Sequence, residues 1–301
     1  MARPSVHNAP AWLRFAPALF VILWSSGFIG IRLGVPHAEP FSYLAWRYAL
    51  ASLLLFAVFL AVRAPWPATP RLALHSAVAG LLVHGAYLSG CFCAVRLGMP
   101  TAMVALVAGL QPVLTAMTSG PLLGERLTRV QWAGIALGFT GVALVVSSRW
   151  TGPGALTGAA VAWGVVALLG ITFGTLYQKR FCTEVPMLAS GVIQYVTSGI
   201  PTVILAYSLE SFAIDWTPEF AFALFWHVVV LSVGAIGLLF MLIRHGEASR
   251  VASLFFLTPP TTAVMAFLLF DERLAPVALA GLAASAVGVA LVTGGIRMGR
   301  P

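Results

Sequence analysis

Charged side chains are scarce in this sequence of 301 residues, where Lys, Arg, Asp and Glu together make up 9%. A soluble domain carries about a quarter. Hydrophobic residues make up 60% of the chain and the mean hydropathy is +0.95. A chain of this composition cannot cover its surface with polar groups, so the sequence predicts a protein that lies in a bilayer.

Acidic residues are the rarest charged type, with nine in the chain. All of them fall in predicted loops or at the ends of apolar stretches. Carriers driven by protons or sodium usually hold a carboxylate within the membrane. In a carrier, the absence of carboxylates from the apolar stretches would favour facilitated transport, with only His84 and, less centrally, His227 left to carry a proton there.

Cysteine is also rare, with three residues at spacings that suit no metal site. The sequence contains no Walker A motif, no GxSxG motif and no HExxH motif, which gives no support to an ATP-driven pump or a hydrolase. We therefore predict no catalytic residues, no metal, no cofactor and no enzymatic activity.

Ten apolar stretches are each long enough to span a bilayer. All spans must be helices, because a helix satisfies its backbone hydrogen bonds internally. The sequence thus predicts an all-α integral membrane protein with ten transmembrane helices. The approximate spans are 15–33, 41–62, 72–95, 99–119, 128–147, 154–176, 186–207, 219–242, 248–269 and 275–296.

The net charge of +8 is distributed unevenly between the two sides of this predicted bundle. If the N-terminus is cytoplasmic, twelve Lys and Arg residues lie inside, and four lie outside: Arg32, Arg96, Arg149 and Arg273. This split follows the positive-inside rule and places both termini in the cytoplasm. The charge therefore indicates membrane orientation and gives no reason to expect nucleic acid as a partner.

The stretch 101–148 is repeated about 147 residues later as 248–295. Pro112 corresponds to Pro259, and the Glu-Arg-Leu that begins at Glu125 corresponds to the one at Glu272. Five spans per half is an odd number, so the halves must have opposite orientations, as in many secondary transporters. The predicted organisation is a cytoplasmic tail (1–14), two five-helix repeats (15–150 and 151–297) and a cytoplasmic tail (298–301).

The repeated motifs resemble those of the drug/metabolite transporter superfamily, specifically its ten-helix EamA-type permeases. The matching residues in the first half include Trp24, Gly27-Phe28, Arg47, Pro112, the Leu-Gly-Glu-Arg-Leu run at 123–127, Gly134 and Gly141. Those in the second half are Pro259, Asp271 to Leu274, Gly281 and Gly288. The second copy departs where Phe270-Asp271 replaces Leu-Gly and where Gln194 stands in place of Arg47.

The resemblance implies a secondary transporter of the cell inner membrane that exports amino acids and related metabolites by alternating access. The expected partners are a small-molecule substrate and the lipid bilayer, and we expect a monomer. Proton-coupled efflux of toxic organic compounds or drugs is the alternative within transport. A membrane-embedded enzyme or assembly subunit would need a reactive cluster or a large docking surface, and neither is found in the sequence.

Prolines interrupt the fourth and ninth spans at corresponding positions, Pro112 and Pro259-Pro260. Each removes a backbone donor and frees a carbonyl four residues back. Matched interruptions of this kind indicate a binding site at mid-membrane, although a plain kink remains open. We assign these prolines a conformational role and expect Gln111 and Thr258, which precede them, to contact substrate.

Four further residues near mid-span are candidates for substrate binding: Trp24, His84, Tyr87 and Trp163. His84 and Tyr87 share one face of the third span with Gly80 and Cys91. Tryptophan within the bilayer offers a flat wall and one N–H donor to a substrate. A structural histidine and ordinary packing of the tryptophans are the open alternatives.

Three charged residues are assigned structural roles: Arg47, Glu125 and Glu272. Arg47 lies within the second span, where an unpaired charge is costly. A brace to backbone carbonyls and binding of a substrate carboxylate are both open for it. Glu125 and Glu272 end the fourth and ninth spans, where helix capping or ion pairing is expected.

Overall fold

The computed structural model describes residues 15–123, 127–149, 154–235, 238, 242 and 254–295. These residues form ten helices and no β-strand. The helices are α1 (Ala16–Gly34), α2 (Pro40–Ala61), α3 (Pro70–Arg96), α4 (Thr101–Ala108, continuing as Gln111–Leu123), α5 (Arg129–Ser147), α6 (Gly158–Phe181), α7 (Met187–Leu209), α8 (Pro218–Ala235), α9 (Phe255–Phe270) and α10 (Pro276–Gly295).

Nine helices in the described part of the chain are long and apolar enough to cross a membrane. The exception, α9, is shorter, and the first residues of the span predicted at 248–269 lie outside the described residues. Large apolar side chains such as Leu53, Ile204 and Leu268 are more than half exposed. A surface of this kind is stable only against lipid, so the helical, multi-pass membrane architecture predicted from the sequence is confirmed.

Threonine side chains begin several of the helices. The hydroxyls of Thr128, Thr157 and Thr217 each accept a hydrogen bond from the backbone N–H three residues on, at the starts of α5, α6 and α8. In α5 the side chain of Gln131 completes a capping box by accepting from the N–H of Thr128. These caps satisfy N–H groups that the first helical turn leaves without partners.

The closest helix pair is α5 with α10, which cross in opposite directions at two pairs of glycines. A Cβ placed on Gly134 would lie 2.7 Å from the carbonyl oxygen of Gly288, and Gly141 meets Gly281 in the same way. Gly134 and Gly281 occupy equivalent repeat positions, as do Gly141 and Gly288. Gly134 therefore faces the repeat equivalent of Gly141, and Gly141 faces the repeat equivalent of Gly134, which is the pattern that a two-fold axis produces.

Other helix contacts occur in matched sets. The second helices of the two halves, α2 and α7, pack on each other. The first helix of each half packs on the third helix of the other half, as α1 with α8 and α6 with α3. The first helices also contact the interrupted ones, as α1 with α9 and α6 with α4. The two halves therefore contact each other through several helices of each half.

Two carboxylates connect the loop after α1 to the loop after α7. Glu210, which follows α7, accepts hydrogen bonds from the N–H groups of Phe41 and Ser42 in the first turn of α2, at 2.8 and 2.7 Å. Glu39, which precedes α2, accepts in return from the N–H of Ser211 at 2.8 Å. Negative groups at a helix N-terminus are stabilising, so this exchange fixes the two loops to the same end of the bundle.

The structure gives these helices no absolute orientation in the membrane, and the cytoplasmic location of the termini stays a prediction. The predicted tails at 1–14 and 298–301 lie outside the described residues, as does Glu125. The boundaries of the two predicted repeats likewise remain an expectation.

Candidate functional site

Two helices contain wide π-helical turns, and each of these turns contains a histidine. Residues Leu81–Leu88 of α3 and Trp226–Ala235 of α8 form these segments, which include His84 and His227. The two helices are the third of their respective halves. Such π segments are frequent at functional sites because the added residue per turn changes the direction of side chains and leaves carbonyls unpaired.

The two π segments border a cavity of about 120 Å³ between the helices. Its walls come from α1, α2, α3, α6, α7 and α8, and thus from both halves of the chain. Its polar and aromatic lining includes Trp24, Arg47, His84, Tyr87, Tyr195 and His227. The remaining wall is mainly aliphatic.

Three of the residues predicted to bind substrate lie together in this cavity. His84 and Tyr87 come from the π segment of α3, and Trp24 faces them from α1. The Trp24 ring packs edge-on against the Phe255 ring at a centroid distance of 5.1 Å, and this contact fixes the orientation of the Trp24 ring in the cavity wall. The cavity therefore combines a phenol and an imidazole from one helix with a flat ring from another.

Two tyrosines one repeat apart support the cavity in matching ways. The Tyr48 hydroxyl donates to the His84 carbonyl at 2.6 Å, and the Tyr195 hydroxyl lies 3.0 Å from the Ser232 hydroxyl. Each tyrosine thus connects the second helix of its half to the π segment of the third. The Tyr195 ring also stacks on the His84 ring, with centroids 4.3 Å apart.

His227 is 1% exposed and has polar neighbours on both ring nitrogens. Its Nδ1 lies 2.7 Å from the Tyr43 hydroxyl and 3.0 Å from the Ala223 carbonyl, and its Nε2 lies 3.0 Å from the Gly27 carbonyl. A neutral ring satisfies the contacts with Gly27 and Tyr43 if Nε2–H donates to Gly27 and Tyr43 donates to Nδ1. His227 therefore joins α8 to α1 and α2 at the cavity wall.

The other three residues predicted to bind substrate lie away from this cavity. Gln111 donates its side-chain N–H to the Thr175 hydroxyl at 2.8 Å, which joins α4 to α6. The backbone carbonyl of Thr258 accepts from the Ser25 hydroxyl at 3.3 Å, at the contact of α9 with α1. Both residues therefore lie at helix contacts outside the cavity wall, and the Thr258 hydroxyl itself has no hydrogen-bond partner among the described residues.

Trp163 is displaced from the cavity along the axis of α6. The residue that α6 presents to the cavity is Ile171, eight positions later and thus about 12 Å further along the helix. Trp163 packs instead against Phe41, in the first turn of α2, at a centroid distance of 6.3 Å. Mid-span position in the sequence was therefore too coarse a guide to its depth.

The helix interruptions expected at the prolines are present, and they meet. Between its two parts α4 turns at Gly109 and Leu110, just before Pro112, and α9 begins with a short 3₁₀ turn, Phe255–Leu257, just before Pro259. A Cβ on Gly109 would lie 3.1 Å from Pro259 Cγ. Pro259 and Pro260 also line a small void of about 10 Å³ at this contact.

Arg47, assigned a structural role from the sequence, lies in the wall of the cavity and is 6% exposed. Its buried Nε has no hydrogen-bond partner among the described residues. Glu272 accepts from the Thr101 hydroxyl at 3.2 Å, at the start of α4, which fits the helix-end role expected for it. Glu125 lies outside the described residues.

The cavity residues that were missed have weaker signals in the sequence. Tyr195 stands 147 residues after Tyr48, the spacing of the repeat, so the pair was visible as a repeated aromatic position. His227 was noted only as a possible proton carrier. Nothing in the sequence marks Phe28 and Ser232 as cavity residues beyond their place in an apolar span. Packing between helices decides which face of each helix turns inward.

The lining of the cavity is aromatic, aliphatic and cationic. Its lining contains no Asp or Glu. Among the described residues, no group of three or more His, Cys, Asp or Glu could hold a metal ion. What the cavity offers is aromatic faces, hydrogen-bonding groups and one guanidinium, set between two halves that contact each other in matched pairs.

A profile of the EamA-like transporter family matches this chain twice, over residues 13–147 and 158–294. The chain belongs to the EamA-like transporter family. The two matched segments cover nearly all of both apolar halves, and the family resemblance predicted from the motifs is confirmed. The chain is accordingly a multi-pass membrane transporter.

Curated relatives of this EamA-like chain are similar over almost their full length. A "Probable amino-acid metabolite efflux pump" of Escherichia coli is 27% identical over 93% of this chain and 94% of its own length. A protein of the same name from Salmonella typhimurium is 26% identical over 95% and 96%. An uncharacterized transporter of Bacillus subtilis, YvbV, is 28% identical over 91% and 89%.

A solved structure described only as "Crystal structure of protein" shares the fold. It has a TM-score of 0.61 and 20% sequence identity, with 97% of this chain and 100% of that chain covered. At this identity the likeness concerns the fold alone. It supports the helical arrangement described above.

Proposed function

We propose that this EamA-like transporter exports amino acids and related small metabolites across the cell inner membrane by alternating access. The observation that carries the proposal is the cavity between the two halves, which is lined by helices of both. A carrier of this type holds its substrate near the midplane at the repeat interface and rocks one half against the other. The names of two relatives support the substrate class.

The proposed architecture is two inverted repeats of five helices with both termini in the cytoplasm. The paired glycines of α5 and α10 and the matched contacts of α1 with α8 and α6 with α3 support a pseudo-two-fold. The contact of the loop after α1 with the loop after α7 puts these loops at one end, as an outside location of both requires. We propose that the protein works as a monomer.

The size and charge of the cavity favour a small metabolite over a drug. Pockets for drug-sized ligands measure about 300–1,000 Å³, whereas this cavity measures about 120 Å³. Its one permanently charged lining residue is Arg47, a cation. Efflux of toxic organic cations, the alternative within transport, would call for an acid in that place.

Exchange in proteoliposomes tests the proposal directly. Purified protein is reconstituted, and entry of labelled amino acids is measured against an internal pool of the same unlabelled compound, over a panel of neutral, acidic and basic amino acids. We expect counterflow for at least one class, absent from protein-free liposomes. Counterflow of organic cations, with none for any amino acid, would contradict the proposal.

A further inference from the structure

The guanidinium of Arg47 is a buried charge without a counter-charge. Arg47 is 6% exposed and lines the cavity, and its Nε has no hydrogen-bond partner among the described residues. Within that part of the chain no salt bridge involves Arg47. The cavity lining contributes no Asp or Glu that could face it.

Such an arrangement is costly in a protein by itself. A charge removed from water is stable only when it is paired and hydrogen-bonded. Lysine or histidine could release a proton in this position, but arginine stays charged in proteins. The described residues therefore leave the charge of Arg47 without a negative partner, and a substrate can supply one.

The chemistry of the guanidinium indicates which negative group fits. Its planar fork matches a carboxylate through two parallel N–H···O bonds, which gives direction as well as energy. The surrounding wall adds aromatic rings, including Trp24, Tyr87 and Tyr195. Faces of such rings attract an ammonium group, so a zwitterion can place both of its charges in this cavity.

The second half of the chain does not repeat this charge. Gln194 occupies the position equivalent to Arg47, and its side-chain N–H donates to the Ser190 hydroxyl at 2.9 Å. Gln194 is not part of the cavity lining, although the adjacent Tyr195 is. The cavity thus provides one site for a carboxylate and no second cation for a dianion or a phosphate.

A second cavity residue also has an unused polar atom. The Nδ1 of His84 is buried and has no hydrogen-bond partner among the described residues. The backbone carbonyl of His84 is occupied by the Tyr48 hydroxyl, and its ring is fixed by stacking on Tyr195. The His84 ring is therefore held in place in the same wall as Arg47, with one buried nitrogen that no described residue satisfies.

We propose that Arg47 binds the carboxylate of the transported solute, and that the substrates are small molecules with a single free carboxylate, such as zwitterionic amino acids. This inference rests on the proposed transport function and names the substrate group that the same site recognises. Arg47 is then a specificity-determining residue, which selects the second of the two roles that the sequence left open for it.

Matched compounds test the substrate class in the unaltered protein. Competition against labelled substrate is measured for an amino acid, its carboxamide, its methyl ester, its decarboxylated amine and its 2-oxo acid. Stabilisation of the detergent-purified protein against heat is measured with the same compounds, because it reports binding without transport. We expect the free carboxylates to bind at least about tenfold more tightly than the amide, ester and amine, a factor expected for loss of one buried charged partner.

Variants test the residue. In Arg47→Gln the preference for the acid over its amide should fall to near unity, and in Arg47→Lys it should be retained in part, because lysine keeps the charge but loses the fork. Arg32→Gln is the matched control, since Arg32 is an exposed arginine at the end of α1 outside the cavity. It should keep the full preference.

The outcomes separate this inference from the transport proposal. Amino-acid counterflow without preference for the acid over its amide would overturn the role of Arg47 and leave the transport function standing. Failure of amino-acid transport, with binding of other monocarboxylates lost in Arg47→Gln, would overturn the transport proposal alone. If Arg47→Gln does not fold, the unaltered protein and Arg47→Lys decide the matter: equal binding of acid and amide by the unaltered protein, or the full preference in Arg47→Lys, refutes the inference.

Discussion

The hydrogen bond between Tyr43 and His227 is the most buried polar contact at the cavity wall. Tyr43 is 0% exposed and His227 is 1% exposed, and their side chains meet at 2.7 Å. Phe92 and Phe220 pack their rings against the Tyr43 ring. In the neutral tautomer described above, the Tyr43 hydroxyl is the donor to Nδ1.

Removal of this hydroxyl should destabilise the protein. We expect Tyr43→Phe to lower the free energy of unfolding by about 0.5–1.5 kcal/mol, because it leaves a buried nitrogen without its donor while keeping the ring. Thermal unfolding of the detergent-purified protein measures this change. Tyr207→Phe is the control, since Tyr207 is 68% exposed, and equal melting temperatures for the two variants would contradict the expectation.

At this scale the sequence predicted residue types better than positions. Trp24, His84 and Tyr87 were placed in the site because polar or aromatic groups on one face of an apolar helix turn inward. Gln111, Trp163 and Thr258 met the same criterion, but Gln111 and Thr258 lie at other helix contacts and Trp163 lies about two turns from Ile171 along α6. Only packing between helices decides which of these positions borders the cavity.

Helix interruptions set the shape of the region where α4 and α9 meet. The prolines predicted these interruptions correctly, because a missing N–H and a fixed φ are local properties. The π segments of α3 and α8 could not be predicted in this way. They contain no proline, and their wide turns depend on contacts such as the Tyr48 hydroxyl on the His84 carbonyl.

Substitution of the helix-breaking prolines should slow transport without preventing insertion. Pro112→Ala or Pro259→Ala restores an N–H, and a regular helical hydrogen bond is worth about 0.5–1.5 kcal/mol, so we expect about three- to tenfold slower exchange. Membrane content by immunoblot and counterflow in liposomes measure the two effects. Pro201→Ala is the control, because Pro201 lies inside the separate helix α7.

If Pro112→Ala and Pro259→Ala both exchange substrate at the unaltered rate, the interruptions only shape packing. A comparable slowing in Pro201→Ala would equally contradict a special role for the contact of α4 with α9. The distinction matters because Gly109 and Pro259 already touch across this contact. A regular helix there would have to displace one of them.

Across the whole molecule, sequence charge and structural contacts agree on which loops share an end. Residues 35–39 and 210–217, both expected outside, are joined by the bridge of Ala38 with Ile214 and by the His37–Asp215 pair at 3.3 Å. At the other end His75 meets Tyr177 at 2.8 Å. Contacts give only relative sidedness, and the absolute orientation depends on the positive-inside rule.

Cysteine labelling tests the orientation. In a variant without the three native cysteines, we expect a single cysteine at Arg71 or Arg300 to be shielded from a membrane-impermeant maleimide in intact cells. A cysteine at Asp215, whose side chain is 70% exposed, should react. All three should react in permeabilised cells, and labelling of position 300 from outside would reverse the proposed topology.

The energy source of transport is the last property of the whole molecule that its composition predicts. With no carboxylate in the cavity lining, the groups left to carry a proton are His84 and His227, and histidine is the side chain that ordinarily titrates near physiological pH. His227 has partners on both nitrogens, whereas the ring of His84 faces Tyr195 and has Arg47 in the same wall. We expect facilitated exchange of labelled for unlabelled substrate at symmetrical pH without sodium. In His84→Gln this exchange should likewise not depend on a pH gradient. If accumulation by the unaltered protein requires a pH gradient, and His84→Gln abolishes that requirement while exchange survives, then His84 carries the proton and the facilitated mechanism is wrong.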